Sequence, residues 1–381
     1  MTEDKASRYH RLKRGTEIAA LVWGGLLTAG LLASGAAHRL AAVAAWVAGG
    51  RFAVTIAVLV VLLTILNECV ALPLSWYSGF VLERRYDLSR QTPLAWLADH
   101  VKATLLSLGL GVPAALLVYA TMALVPAWWW LASGAIFAGV IVGLARLAPV
   151  VLLPLFFSFS PLGRADLRAR LEALAARAGT RVVGVYEWAL GAKTAKANAA
   201  LAGLGASRRI LVSDTMLEQY SDDEIAVVLA HELGHHVHHD IWRSLAVESL
   251  VILLGFLAAD AALVHAGPAL GLSGIADPAG LPLLLLAAGG VSLLLTPAGL
   301  ALSRRHERAA DRFALEITGD AEAFVSAMRR LGAQNLAEEQ PSRLTEWLFL
   351  SHPPLAERLA AAHAWKQAGP NETPICRRRP I

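Results

Sequence analysis

"SDDEIAVVLAHELGHHVHHD", residues 221–240, packs five histidines around one glutamate and runs into an apolar stretch that starts near residue 245. Ser221 with Glu224 three residues later is a capping-box pattern, and Asp222, Asp223 and Glu224 suit the positive end of a helix dipole. The spacing therefore predicts a helix that carries the histidines well inside it. His231 and His235, four residues apart, project from one face and can reach one metal ion, with Glu232 beside the first. In such an HExxH helix the glutamate does not ligate; it moves a proton from the attacking water to the leaving amine. A polar helix that feeds straight into an apolar run places this chemistry at a membrane boundary.

Composition agrees. Of 381 residues 56% are hydrophobic and 17% charged, where a soluble domain has about a quarter charged. Residues 18–37, 103–145 and 278–303 carry no formal charge, and runs of this length are candidate spans. The 43-residue run from 103 must hold two spans, since about 20 residues cross a bilayer. Its break falls at "VPAWWW", where Trp128 to Trp130 suit the headgroup level. Two further spans are expected at about 53–79, with Asn67 and Glu68 inside, and about 245–266, with Glu248 and Asp260 inside. That makes six.

The net charge of +4 does not point to nucleic acid, because the basic residues sit beside spans. Lys5, Arg8, Arg11, Lys13 and Arg14 precede the first; Arg84, Arg85, Arg90 and Lys102 lie between the second and third. By the positive-inside rule both termini and the 160–244 region are cytoplasmic. The expected division is a membrane region at 1–160, a first polar segment at 161–244, a transmembrane hairpin at 245–301 and a second polar segment at 302–381. The first polar segment reads as a small α+β unit: a helix at "RADLRARLEALAARAG" closed by Gly179, then strands at "RVVGVYEW" and "RRILVS".

Cys69 and Cys376 are the only cysteines, too few for a thiolate site. A metal must therefore use histidine and carboxylate, and zinc accepts both while keeping a position for water. The third ligand is open. In "SRRHERAADRFAL" Glu307 and Asp311 are four apart: Glu307 would complete a His, His, Glu set and Asp311 would accept a ring N–H. The competing reading is a salt-bridged surface helix, with Arg304, Arg305, Arg308 and Arg312 around them. His238, seven residues from His231, is an alternative ligand, and otherwise His236, His238 and His239 read as a solvated helix end.

The motif pair, with a helical hairpin between, resembles the integral-membrane zinc metalloendopeptidases of the CAAX prenyl protease type 1 family. The resemblance extends through "GFVLERRYDLSRQT" (79–92), "LPLFFSFSPL" (153–162), "AKANAALAG" (195–203), "SRRHERAAD" (303–311) and "SHPPLAERL" (351–359). It implies His231, His235 and Glu307 as ligands of one Zn2+, Glu232 as base and Asp311 as support to a ligand. It also implies a substrate-binding edge strand opened by Asn198 and Ala199 and closed by Gly203, which takes an extended peptide by β-augmentation, and His352 as a group that steadies the oxyanion. The implied fold is a polytopic α-helical membrane protein around an intramembrane chamber, capped by a small α+β metallopeptidase domain; Glu68, Arg146, Glu248 and Asp260 would then face a cavity, although Arg146 could also snorkel.

The implied substrates are membrane-associated or unfolded polypeptides, lipid-modified ones included, met among membrane lipids. The Ala, Leu, Gly and Arg-rich usage points to a bacterial chain, hence an inner membrane. An HtpX-like quality-control protease has fewer spans ahead of its zinc motif. A silent scaffold would not need Glu232, and a metal transporter would hold its ligands at mid-membrane depth. Reporter fusions at residue 275 and at the C-terminus are expected to report opposite sides of the membrane; matching sides would refute the topology.

Overall fold

Where a chain crosses lipid, every backbone N–H and C=O has to find its partner within the segment, so the uncharged runs fold as helices. The computed structural model describes residues 4–147, 151–203, 205 and 208–368; Cys376 lies outside these, and Cys69 is exposed. The chain opens with α1 (Lys5–Ala33), α2 (Ala36–Val47), α3 (Phe52–Trp76), a π turn (Tyr77–Val81) that leads into α4 (Leu82–Arg85), α5 (Pro93–Leu124) and α6 (Trp129–Leu147). Six helices of the described residues are long and apolar enough to span: four here, counting α3 to α4 as one, and two later.

Three details depart from the sequence reading. α2 is a separate helix of 12 residues, about 18 Å long and too short to cross alone, so it gives no span signal. α5 starts ten residues before its uncharged run, because Thr92 caps it, accepting the Ala95 N–H, and Pro93 suits the first turn. The tryptophans after the break do not all face headgroups: Trp128 is exposed, whereas Trp129 is fully buried and donates its indole N–H to Asp260 Oδ1 at 2.6 Å. Asp260 is thus held by a hydrogen bond, and Glu248 and Arg146 are exposed. A cavity of about 650 Å³ among the spans is lined by Glu68, Asn67 and mostly apolar side chains, with His100 Nε2 2.9 Å from Glu68 Oε2.

The polar half begins with β1 (Phe159–Pro161) and α7 (Ala165–Arg177), which ends at Gly179 in the left-handed region. β2 (Val185–Trp188), β3 (Ala199–Ala202) and β4 (Arg209–Ser213) complete a four-stranded sheet in the order β1-β2-β4-β3. β2 and β4 are parallel; β1 on β2 and β3 on β4 are antiparallel. β3 is therefore an edge strand. After α8 (Asp214–Gln219) comes α9 (Asp222–Val237), whose Ser221–Glu224 capping box is fully formed. Leucines of α7, Ile210 and Val212 of β4, and Ile225 to Leu233 of α9 form one core beneath the sheet.

α10 (Asp240–His265) follows α9 after two residues. α11 (Leu281–Thr318) runs 38 residues without a break, so the expected division at 301/302 falls inside one helix. No glycine or proline stands between Gly299 and Gly319, which lets the helix continue out of its apolar part. α12 (Ala321–Gln334), α13 (Arg343–Phe349) and α14 (Leu355–Ala368) close the chain.

α9 and α11 touch at Gly234. A Cβ there would lie 2.9 Å from the Ala310 Cα and 3.3 Å from its Cβ, so the approach needs a glycine. Gly234→Ala is expected to destabilise the protein by about 1–3 kcal/mol and to weaken metal retention together with it; thermal unfolding and metal content of the purified protein check both.

Candidate active site

The catalytic helix owes its position to Glu224. Its carboxylate accepts the Ser221 N–H at 2.8 Å, the Ser326 hydroxyl at 2.6 Å and Arg330 Nε at 2.9 Å, tying the start of α9 to α12. Two turns further on, His231 is 6% exposed and turns Nε2 toward His235 Nε2, 3.2 Å away. Glu307 comes from α11 to meet them: Oε2 lies 3.2 Å from His231 Nε2 and Oε1 lies 3.3 Å from His235 Nε2. Among the described residues, His231, His235 and Glu307 form the group able to hold a metal ion.

Two observations test whether a metal fits. A metal ion with arms of about 2.0–2.1 Å to nitrogen and oxygen holds tetrahedral ligand atoms about 3.3 Å apart; the two Nε2 atoms are 3.2 Å apart, and the Glu307 carboxylate straddles them, Oε2 at 3.2 Å from His231 and Oε1 at 3.3 Å from His235. Glu307 Oε2 is also a buried acceptor with no donor; His352 Nδ1 comes within 2.7 Å of it but off the line of a hydrogen bond. The charges agree. Glu232, Glu307, Asp311 and Asp240 bring four carboxylates to the site against two guanidinium groups, Arg358 on Asp311 and the exposed Arg243, 3.6 Å from Asp240 Oδ1, an excess that a divalent cation offsets. Burial pushes the His231 pKa down, yet its contacts with Asp311 and Glu307 outweigh that and hold it at about 9. Burial pushes the Glu232 carboxyl up, which suits a group that accepts a proton and returns it.

Each of the two imidazoles has a carboxylate behind it. His231 Nδ1 is 2.8 Å from Asp311 Oδ1, the partner expected from the sequence, and Asp311 is in turn gripped by Arg358 through Nε at 2.8 Å and Nη2 at 2.5 Å. Glu307 and Asp311 are 5% and 6% exposed, so a surface salt-bridged helix is excluded for this face. Arg308 does pair outward with Glu357, while Arg304 donates to the Glu346 and Leu350 carbonyls and so holds α13 and the loop that carries His352.

Sequence reasoning gives no role to two residues here. Asp240 Oδ2 lies 3.0 Å from His235 Nδ1, standing behind the second imidazole as Asp311 stands behind the first; its signal is an acid at the first turn of the helix after the motif. Arg358 lies in the "SHPPLAERL" stretch, but nothing local to α14 reveals that it faces Asp311. His238 does not join the ligands: its ring stands edge-on to Phe313 with Nδ1 unpartnered. His239 has φ of 59° and starts the turn into α10, its Nδ1 on the His236 carbonyl; His236 stays half-buried beside it.

A cavity of about 400 Å³ opens onto these groups, lined by Asn198, Ala199, His231, Glu232, His352 and Arg358 among others. β3 forms one wall. The Asn198 carbonyl accepts the Ser213 N–H at 2.9 Å, so by the alternation of an antiparallel ladder Ala199 and Leu201 turn their N–H and C=O groups to the free edge. Gly203, at φ of 95°, takes the chain out of β3 and does not line the cavity.

The family model described as peptidase family M48 matches residues 161–366, and the one described as the CAAX prenyl protease N-terminal region with five membrane helices matches residues 2–158. In that second span the described residues hold α1, α2, α3, α5 and α6 as five apolar helices, α2 being the short one. An uncharacterized metalloprotease of Bacillus subtilis, YhfN, is 32% identical over 81% of this chain and 72% of its own. CAAX prenyl protease 1 of Saccharomyces cerevisiae is 30% identical over 79% of this chain and 70% of its own. The crystal structure of S. mikatae Ste24p superposes with a TM-score of 0.83 at 26% identity, covering 94% of this chain and 88% of that one. If Glu307 is a ligand, Glu307→Ala is expected to lower metal content from about one ion per chain to near zero with the helical content unchanged, as read by elemental analysis and circular dichroism; an unchanged metal content would move the third ligand elsewhere.

Proposed function

The chain belongs to peptidase family M48, with the membrane region of the CAAX prenyl proteases, and from that premise we propose how this multi-pass membrane metallopeptidase works and where. The metal is zinc, held by His231, His235 and Glu307. The observation that carries this is the convergence of the His231 and His235 Nε2 atoms, 3.2 Å apart, with the Glu307 carboxylate that straddles them, and Glu232 at the wall of the adjoining cavity. When bound, zinc supplies Lewis acidity to the scissile carbonyl and makes water a nucleophile near neutral pH.

The protein's own groups do the rest. Asp311 and Asp240 fix the tautomer of each ligand ring, so that both Nε2 atoms present a lone pair. An extended peptide pairs with the Ala199 and Leu201 edge, which presents its carbonyl beside Glu232. Glu232 takes the proton of the attacking water and delivers it to the leaving amine nitrogen. His352 and Arg358, on the same cavity, are placed to donate to the oxyanion.

Substrates are membrane-associated or unfolded polypeptides, lipid-modified ones included, reached from the boundary at which α10 and α11 leave the bilayer. The polar half and both termini are cytoplasmic, in a bacterial inner membrane, as supported by the basic residues beside the spans. The test is Glu232→Gln, which is expected to keep metal and fold and to lower kcat by at least about 10³-fold. Retained peptide cleavage by a variant that still holds its metal would overturn the assignment.

A further inference from the structure

The free edge of β3 (Ala199–Ala202) is blocked just ahead of the strand. Outward-facing groups recur every second residue, at Ala195, Ala197, Ala199 and Leu201. The first two are already occupied by this chain. Ala195 donates its N–H to the Leu88 carbonyl at 3.0 Å, and its carbonyl accepts Gln334 Nε2 at 2.7 Å. Ala197 gives its N–H to Asn335 Oδ1 at 3.3 Å and takes Asn335 Nδ2 on its carbonyl at 3.4 Å. One side-chain amide thus makes both hydrogen bonds that a neighbouring strand residue would make. Beyond it, from Ala199 on, the backbone groups of the edge carry no such partner among the described residues, and Ala197, Ala199 and Asn335 all line the cavity.

Asn335 is held there from several sides. It ends α12, and the next residue, Leu336, has φ of 53°, a conformation that is strained for a bulky L residue and persists only where its surroundings enforce it. Those surroundings are the membrane region: the Leu336 carbonyl accepts His10 Nε2 of α1 at 2.7 Å, and its side chain packs against Tyr9, Leu82, Tyr86 and Leu88. Arg14 of α1 grips Glu338 through two nitrogens at 2.5 and 3.0 Å. Gln334, in turn, is fixed by the Tyr220 hydroxyl at 2.8 Å.

We propose that Asn335 is a positioning residue: it occupies the edge at Ala197, two residues before β3, ends the peptide ladder there and closes the cleft at that end. The inference rests on peptide binding at the β3 edge. A bound chain pairs with Ala199 and Leu201, and on one side of the scissile bond it meets the Asn335 amide in place of further strand.

Two series of quenched-fluorescent peptides test this, sharing one scissile sequence and lengthened one residue at a time on the amino or the carboxyl side of the cut, with the full-length protein in zinc-containing nanodiscs. For the wild type, kcat/KM is expected to fall at least tenfold beyond a given length in one series only. In Asn335→Ala that fall moves outward by two residues, and in Asn335→Gln it stays; if the alanine variant does not fold, Asn335→Ser serves the same comparison. Equal length profiles for wild type and alanine variant, or a uniform loss across both series, would overturn the proposal. Wild-type cleavage that does not depend on length would overturn it while leaving the function standing, whereas no wild-type cleavage of any peptide would sink both.

Discussion

The whole site depends on the contact between α9 and α11 at Gly234. HExxH supplies two ligands from one helix, four residues apart, and no further residue of that helix can close the set without unwinding it. The third must come from a second helix at a fixed height and rotation. Ala310 against Gly234 sets both, because the missing Cβ lets the backbones approach to a distance any other residue would forbid. One turn away on α11, Glu307 then faces His231 and His235, and on the other side of Ala310, Asp311 faces the back of His231.

Burying so many carboxylates would unfold the protein if they stood alone. None of them does. Glu307 meets His231 and His235, Asp311 and Asp240 stand behind those imidazoles, Glu232 lines the cavity beside them, and Arg358 pairs with Asp311. On the proposed reading a cation completes this unit, so metal retention and folding of this half are expected to be coupled.

Much of this is legible in the sequence, for physical reasons that also mark the limits. Uncharged runs of membrane length fold as helices, and Glu232 singles out His231 and His235 among five histidines, since His235 and His239 are also four apart but have no base beside them. Glu307 stays open on its own, because a helix pattern does not say which face meets another element; burial decides it. Asp240 and Arg358 escape because each acts across a turn or a helix pair, and α2 escapes because 12 residues fall below the length that lipid demands. Trp129 misleads for a related reason: an indole beside a proline suits an interface, but a half-buried Asp260 on α10 claims it.

α11 begins in the apolar part of the protein and carries a ligand near its far end. Leu281 to Glu307 spans about 39 Å at 1.5 Å per residue, so a tilt of about one degree swings the carboxylate by roughly 0.7 Å, several times the ~0.2 Å tolerance of a metal–ligand distance. A helix adjusts its tilt to bilayer thickness, and the carboxylate would be torn from the imidazoles unless α9 moved with it. The Gly234 contact thus makes the two helices a single lever, and Pro297, where one backbone hydrogen bond is missing, is the joint at which the lever can yield. In mechanical terms the metal centre is mounted on the membrane itself.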